Sequence, residues 1–189
     1  MVLSLSIAAR MGEDATELDD FDVLVRLHWM RVFRFALASL RDRDAAESIA
    51  QDCFVRAYAA RNQFRGESSV QTWIMQIAVN LVRDFGRNRA LQFWRKAKRL
   101  DVEAEALRDR LPGRGTSPEA DAMLKEQVRA VWHHVKGLSC SQQTVFLLRF
   151  VEDMDLLEIV AATGMTEGTV KKHLFRAVRK IRERMGEIQ

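Results

Sequence analysis

The sequence predicts an all-α protein of two small helical domains joined by a flexible linker. Three observations carry that expectation. Only two Pro and nine Gly occur in 189 residues, and a composition rich in Ala, Leu, Arg and Glu favours helix throughout. Apolar residues recur at three- and four-residue steps in both halves, and no stretch reads convincingly as a strand. Near the middle, LPGRGTSP at 111–118 gathers Pro112, Gly113, Gly115 and Pro118, which interrupts that periodicity and divides the chain.

Taken in order, residues 1–19 form an acidic lead without a sustained period. Residues 20–93 read as the first domain. Asp20 can cap a helix carrying Phe21, Leu24, Val25, His28, Val32 and Phe35 along one side. After the polar turn at 41–44, Asp44 and Glu47 have capping-box spacing for a second helix that turns Ala46, Ile49, Ala50, Cys53, Phe54, Ala57 and Tyr58 inward. Glu47, Gln51, Asp52 and Arg56 share its outer face, which suits either solvent or a large docked partner. The loop FRGESS follows, and Ser68 with Gln71 has capping-box spacing for a third helix with an apolar stripe of Trp73, Ile74, Ile77, Ala78, Leu81 and Phe85. On another side Gln76, Asn80, Arg83 and Arg87 lie at i, i+4, i+7 and i+11. A row grading from amides into arginines suits a nucleic acid, since amides read base edges and arginines hold phosphates.

Residues 94–120 read as the linker and 121–187 as the second domain. There Leu124, Val128, Val131 and Val135 mark one helix, and Ser139 with Gln142 caps the next, whose core is Val145, Phe146, Leu148 and Val151. Asp155 and Glu158 cap a short helix that stops at Gly164, and Thr166 caps a long basic one running to about Met185. A short helix, a Gly-containing turn and a longer basic helix make a helix-turn-helix pattern. With Val170, Leu174, Ala177, Val178 and Ile181 inward, Glu167, Lys171, Lys172, Phe175, Arg176 and Arg179 are left for the major groove.

Charge supports the same reading. The net +4 is modest, but residues 83–99 and 171–184 are strongly basic whereas residues 1–22 are acidic, and a local basic face suffices to attract phosphate. Cys53 and Cys140 belong to no C-x-x-C pair and sit at apolar helical positions, so both read as reduced core thiols of a cytoplasmic protein. No apolar run is long enough to span a membrane, and residues 1–11 lack a signal-peptide pattern. The four His have no metal spacing, and there is neither a Gly-rich phosphate loop nor a nucleophile–base set. No enzyme, metal or cofactor is expected.

The loop Phe64, Arg65, Gly66, Glu67, Ser68 and Ser69 permits two readings. Phe64 and Trp73 can be core packing, or the loop can hold an unpaired base by stacking and hydroxyl contacts. The combination of motifs extends the second reading. AAESIAQDCFVRAYAARNQFRGESSVQTWIMQIAVNLVRDFGRNR resembles the second conserved region of bacterial extracytoplasmic-function sigma factors, and LSCSQQTVFLLRFVEDMDLLEIVAATGMTEGTVKKHLFRAVRKIRERM resembles their fourth. The resemblance covers about residues 20–186. It implies an initiation factor whose partners are core RNA polymerase, promoter DNA and an anti-sigma factor. The face bearing Glu47, Gln51, Asp52 and Arg56 would dock on the clamp helices of the largest polymerase subunit, with the second domain towards the flap. The loop 64–69 and Asn80 would capture a base of the melted minus-ten element, with Arg83, Arg87 and Arg89 on the nearby backbone. The last helix would read the minus-thirty-five element through Thr169, Lys171, Lys172, Phe175, Arg176 and Arg179. The chain departs from the family pattern at Val70, commonly Phe, at Ser48 and Asp52, usually Asp and Glu, and at Leu156–Leu157, often an aromatic–Glu pair. The rival reading is a stand-alone helix-turn-helix regulator of the LuxR type, which the same final helix resembles; it requires a sensing domain in residues 20–93, where the sequence reads as helix and a base-binding loop.

Overall fold

The computed structural model describes residues 18–93, with side chains to Arg87, and residues 131–186. The segments 1–17, 94–130 and 187–189, which include the expected linker, Leu124 and Val128, lie outside the described residues. Everything regular among the described residues is helical, as the composition predicts.

Helix α1 spans Phe21–Leu40. Asp20 caps it by accepting from the amides of Asp22 and Val23 at 2.9 and 3.2 Å. It ends at Arg41, whose left-handed φ of 56° lets its amide bond back to Leu37 O. Only Asp42 separates Arg41 from α2, Arg43–Ala60. The cap is Asp42, which accepts from Ala45 N at 3.0 Å, and not Asp44. Asp44 therefore lies in the first turn, where its charge still opposes the helix dipole favourably. The inward face of α2 is the expected one: Ala46, Ile49, Ala50, Cys53, Phe54 and Ala57 are buried, and Phe54 stacks on Trp29 of α1.

A 3-10 turn at Arg61–Gln63 leads through the loop to α3, Val70–Phe93. Helix α3 lies across α1 and α2 and also packs against the helix Leu156–Thr163 of the second domain. That second neighbour explains a correction. The single stripe read from the sequence accounts for Ile74, Ala78 and Leu81, and for Val70 one turn before Ile74, yet Thr72, Met75, Val79 and Val82 are buried as well. A periodicity argument made within one domain sees only one covered face.

In the second domain residues 131–135 are helical, followed by α4 (Cys140–Phe150), α5 (Leu156–Thr163) and α6 (Glu167–Gly186). Both expected capping boxes form, Ser139 with Gln142 and Asp155 with Glu158. Gly164 closes α5 at φ 68°, a left-handed conformation that costs a residue with a Cβ. Val145, Leu147, Leu148, Met154, Ile159, Ala162, Val170, Ala177 and Ile181 form the core. Cys140 opens α4 on an exposed position, so the expectation of two core thiols holds for Cys53 alone. Its place at the first residue of the helix, ahead of the buried face, is the reason.

The two domains touch through α1 against α4 and α3 against α5. Gln143 donates to Ala38 O at 3.2 Å. Glu152, in the turn after α4, sends a fully buried carboxylate to Arg34 of α1. The hydrogen bond to Glu152, with its charge, holds the Arg34 pKa above its ordinary value although burial acts the other way.

Candidate nucleic-acid interface

The loop between the 3-10 turn and α3 is built in two layers. Its inner layer is Phe64, half-buried, with its ring centroid 5.4 Å from that of Trp73. Its outer layer is Arg65, Gly66 and Glu67, all exposed. Gly66 takes a φ of 68° and reverses the chain there. Arg65 and Glu67 approach only to 4.0 Å at strongly exposed positions, a pairing of little energetic weight that leaves both able to meet a ligand.

The start of α3 differs from the sequence expectation by one residue. Ser69, not Ser68, is the cap: its Oγ accepts from Thr72 N at 3.2 Å, and its carbonyl takes the first helical bond from Trp73 N. Ser69 Oγ also lies 3.0 Å from Thr72 Oγ1, and Thr72 Oγ1 donates to Glu158 Oε1 at 3.4 Å. A consistent relay follows, with Ser69 donating to Thr72 and Thr72 to Glu158. The Ser69 hydroxyl is thus committed to the fold, whereas Ser68 Oγ makes only a 3.4 Å bond to Ser69 O. Thr72 was missed by sequence reasoning because a polar residue in the first turn of a helix ordinarily faces solvent; its i, i+3 spacing from Ser69 was the available signal.

Further along α3, Gln76, Arg83 and Arg87 are exposed and Asn80 is half-buried, so the expected polar row is on the surface. Arg83 Nη2 donates to Asn80 Oδ1 at 2.6 Å. This fixes the amide, leaving its Nδ2 as the group offered outward. The Arg89 side chain lies outside the described residues. The loop leads directly into the helix that carries this row: Asn80 lies about three turns beyond Ser69, and Arg83 and Arg87 follow at about one turn each.

The face of α2 bearing Glu47, Gln51, Asp52 and Arg56 is exposed along its length, and Val55, also exposed, sits in it. An apolar residue among charges gives a partner something to bury. Cys53 on the opposite side is packed away, with burial pushing its thiol up to about 12.

On α6, Val170, Ala177 and Ile181 are buried and Leu174 and Val178 half-buried, which turns Lys171, Lys172, Phe175, Arg176 and Arg179 outward. Thr166 caps the helix by accepting from Thr169 N at 3.3 Å, and its hydroxyl meets that of Thr169 at 2.8 Å. Lys171 pairs with Glu167. Arg179 pairs with Glu183 at 3.3 Å and lies 6.0 Å above the Phe175 ring. Lys172 and Arg176 project from the same face, so α6 presents cations around an exposed aromatic. Lys180, by contrast, turns back and donates to Gly137 O at 2.6 Å, serving the fold.

An exposed loop and polar row on one helical domain and an exposed basic helix on the other suit a DNA-engaging transcription factor, and comparison with known proteins specifies the class. Residues 24–100 match sigma-70 region 2, and residues 124–181 match sigma-70 region 4. RNA polymerase sigma-H factor of Pseudomonas aeruginosa is 30% identical over 167 residues, covering 83% of this chain and 81% of its own. The ECF RNA polymerase sigma factor SigW of Bacillus subtilis is 24% identical over 90% of this chain and 91% of its own. In fold, the chain resembles the sigma factor RpoE crystallised with the anti-sigma factor NepR from Bartonella quintana, with a TM-score of 0.69, 20% identity, and 88% and 97% of the two chains covered.

The chain belongs to the sigma-70 family, in its extracytoplasmic-function group. It is a transcription initiation factor and not an enzyme. A region 2 in the first half stands where a stand-alone regulator of the LuxR type would carry a sensing domain, and nothing favours that alternative. Among the described residues no helix is long and apolar enough to cross a membrane.

Proposed function

We propose that the chain binds core RNA polymerase in the cytoplasm and directs it to promoters with two recognition elements, through residues 20–93 as the melting domain and 121–187 as the upstream reader, with 94–120 linking them. Glu47, Gln51, Asp52 and Arg56 dock on the clamp helices, and the second domain reaches the flap. Arg65, Gly66, Glu67 and Ser68 form the rim that receives an extruded minus-ten base, backed by Phe64 and by the Ser69 cap. Asn80 presents its amide to that base or its neighbour, and Arg83, Arg87 and Arg89 hold the adjoining backbone. Capturing the unpaired strand offsets an unpairing cost of a few kcal/mol per base. Thr169, Lys171, Lys172, Phe175, Arg176 and Arg179 engage the upstream duplex, where α6 also offers its N-terminal amides to a phosphate. The partner that restrains the chain is an anti-sigma factor.

The observation that carries this reading is the pairing of an exposed Gly66 loop beside an amide-to-arginine row with a separate helix-turn-helix, in a chain whose sequence matches sigma regions 2 and 4. Run-off transcription with core polymerase on fragmented genomic DNA tests it. The expected result is discrete, factor-dependent transcripts. Tight sequence-specific DNA binding without polymerase, combined with no effect on initiation, overturns it.

A further inference from the structure

Glu152 is the most deeply buried acid among the described residues. Its side chain is 0% exposed, at the end of an irregular turn. Arg34 clamps it from both nitrogens of the guanidinium fork, Nε to Oε1 at 2.9 Å and Nη2 to Oε2 at 2.8 Å. Arg31, one turn earlier on α1, donates to the Glu152 carbonyl at 2.8 Å and stands 3.8 Å from the carboxylate. The turn is formed for presentation: Glu152 N and Met154 N bond back to Leu147 and Leu148 carbonyls, Arg149 holds Met154 O, and Asp153 adopts a φ of 52°. The carboxylate thus comes from region 4 and its receptor from region 2. Gln143 to Ala38 and Thr72 to Glu158 also tie the halves together, each by a single bond, of 3.2 and 3.4 Å.

This closed arrangement conflicts with the function proposed above, on which the inference rests. The two promoter elements lie about 25 base pairs apart, or ~85 Å at ~3.4 Å per pair. Over that length DNA is a stiff rod, its persistence length being about 150 base pairs. A compact chain of this length has a radius of gyration of about 16 Å, hence a diameter of ~40 Å. The closed body cannot place its two readers on both elements at once. Neither reader is itself covered, since Arg65, Glu67, Arg83, Lys172 and Arg176 are all exposed, so what the contact restrains is the distance between them.

We propose that Glu152 is an intramolecular latch: seated on Arg34 and Arg31, it holds the chain in a closed form that must open before both promoter elements can be engaged. A bidentate charged pair suits this role better than an apolar contact. Such a pair adds little net stability but is costly to satisfy by halves, so it selects one arrangement sharply. On opening, all three side chains regain water, which keeps the open state accessible. The closed population lowers the apparent affinity for promoter complexes in proportion to the fraction that is open.

The test measures distance and function separately on the full chain. Spin or fluorescence labels are placed on the exposed Cys140 of region 4 and on a cysteine introduced by Ala59→Cys on the exposed end of α2; Cys53 is buried and stays unlabelled. Without polymerase or DNA, the parent chain should show one short distance. Glu152→Gln and, from the other side, Arg34→Gln should each add a longer population. In run-off transcription the two single variants should reach half-maximal activity at a concentration lower on the order of tenfold, the factor carried by losing one charged hydrogen bond. A long distance already present in the parent chain, or distances unchanged in both single variants, overturns the latch. Longer distances with unchanged half-maximal concentrations overturn its inhibitory role. Failure of every variant to initiate transcription overturns the proposed function instead, while the distances still decide whether the latch exists.

Discussion

Phe64 lays its ring against Trp73, centroid to centroid at 5.4 Å and tilted by 57°, so the aromatic that opens the proposed base-capture loop also packs against the region 2 core. The two roles separate by substitution. Phe64→Ala removes an aromatic pair worth about 0.5–1.5 kcal/mol beyond area burial, together with part of a buried side chain. It should lower unfolding free energy by about 1–2 kcal/mol in denaturant melts and loosen the loop. Phe64→Leu retains apolar bulk and should recover most of that stability. If promoter opening recovers with it, Phe64 acts as a support; if opening stays impaired, the ring itself meets the base.

The serine pair gives a sharper contrast. Ser69→Ala deletes the cap of α3 and should cost about 1 kcal/mol. Ser68→Ala, which removes only a 3.4 Å bond to the neighbouring carbonyl, should stay within about 0.5 kcal/mol. Equal costs in thermal melts would return the cap to Ser68, where the spacing from Gln71 first places it.

Caps show how far the sequence was legible. At α4 and α5 the reciprocal pairs Ser139–Gln142 and Asp155–Glu158 form as their spacing predicts, with both halves of each capping box made. At α2 and α3 two candidates stand close together, Asp42 with Asp44 and Ser68 with Ser69, and local spacing cannot rank them. The preceding turn decides: Arg41 in the left-handed region leaves Asp42 extended and first in line. Likewise the α2 core face and the outward cations of α6 follow from period alone, whereas the partner of buried Thr72, Glu158, lies 86 residues further along the chain. Glu152 is the extreme case, an acid after a helix whose partner lies 118 positions earlier.

Asn80 and Arg176 should fail differently. Asn80→Ala removes the amide that Arg83 orients, with little effect on the fold because the residue is half-buried on the polar row. It should reduce permanganate reactivity of minus-ten thymines in polymerase complexes while leaving closed-complex binding near normal. Arg176→Ala removes an exposed cation from α6 and should weaken upstream duplex binding by about 1–3 kcal/mol if it reads a base, with a smaller slope of affinity against salt if it holds a phosphate. Identical defects in both assays would show that the division of labour between the two domains is wrong.

The two cysteines should part at alkaline pH. Cys140 is exposed and should react with a thiol reagent in the native chain, whereas Cys53 should react only after unfolding. Burial raises the Cys53 thiol from 9.0 to about 12, so the unfolded chain releases that proton at lower pH than the folded one. The stability tied to the neutral thiol is therefore complete below about pH 9 and declines as the pH rises from there towards 12. Cys53→Ala abolishes this titration but opens a small cavity beside Ile74, whose carbonyl the thiol approaches at 3.5 Å. The parent chain should be the more stable of the two at pH 7, and its advantage should narrow in denaturant melts from pH 9 upwards. A constant difference across that range would mean that Cys53 ionises alike in both states, and hence that water reaches it through the α2–α3 interface.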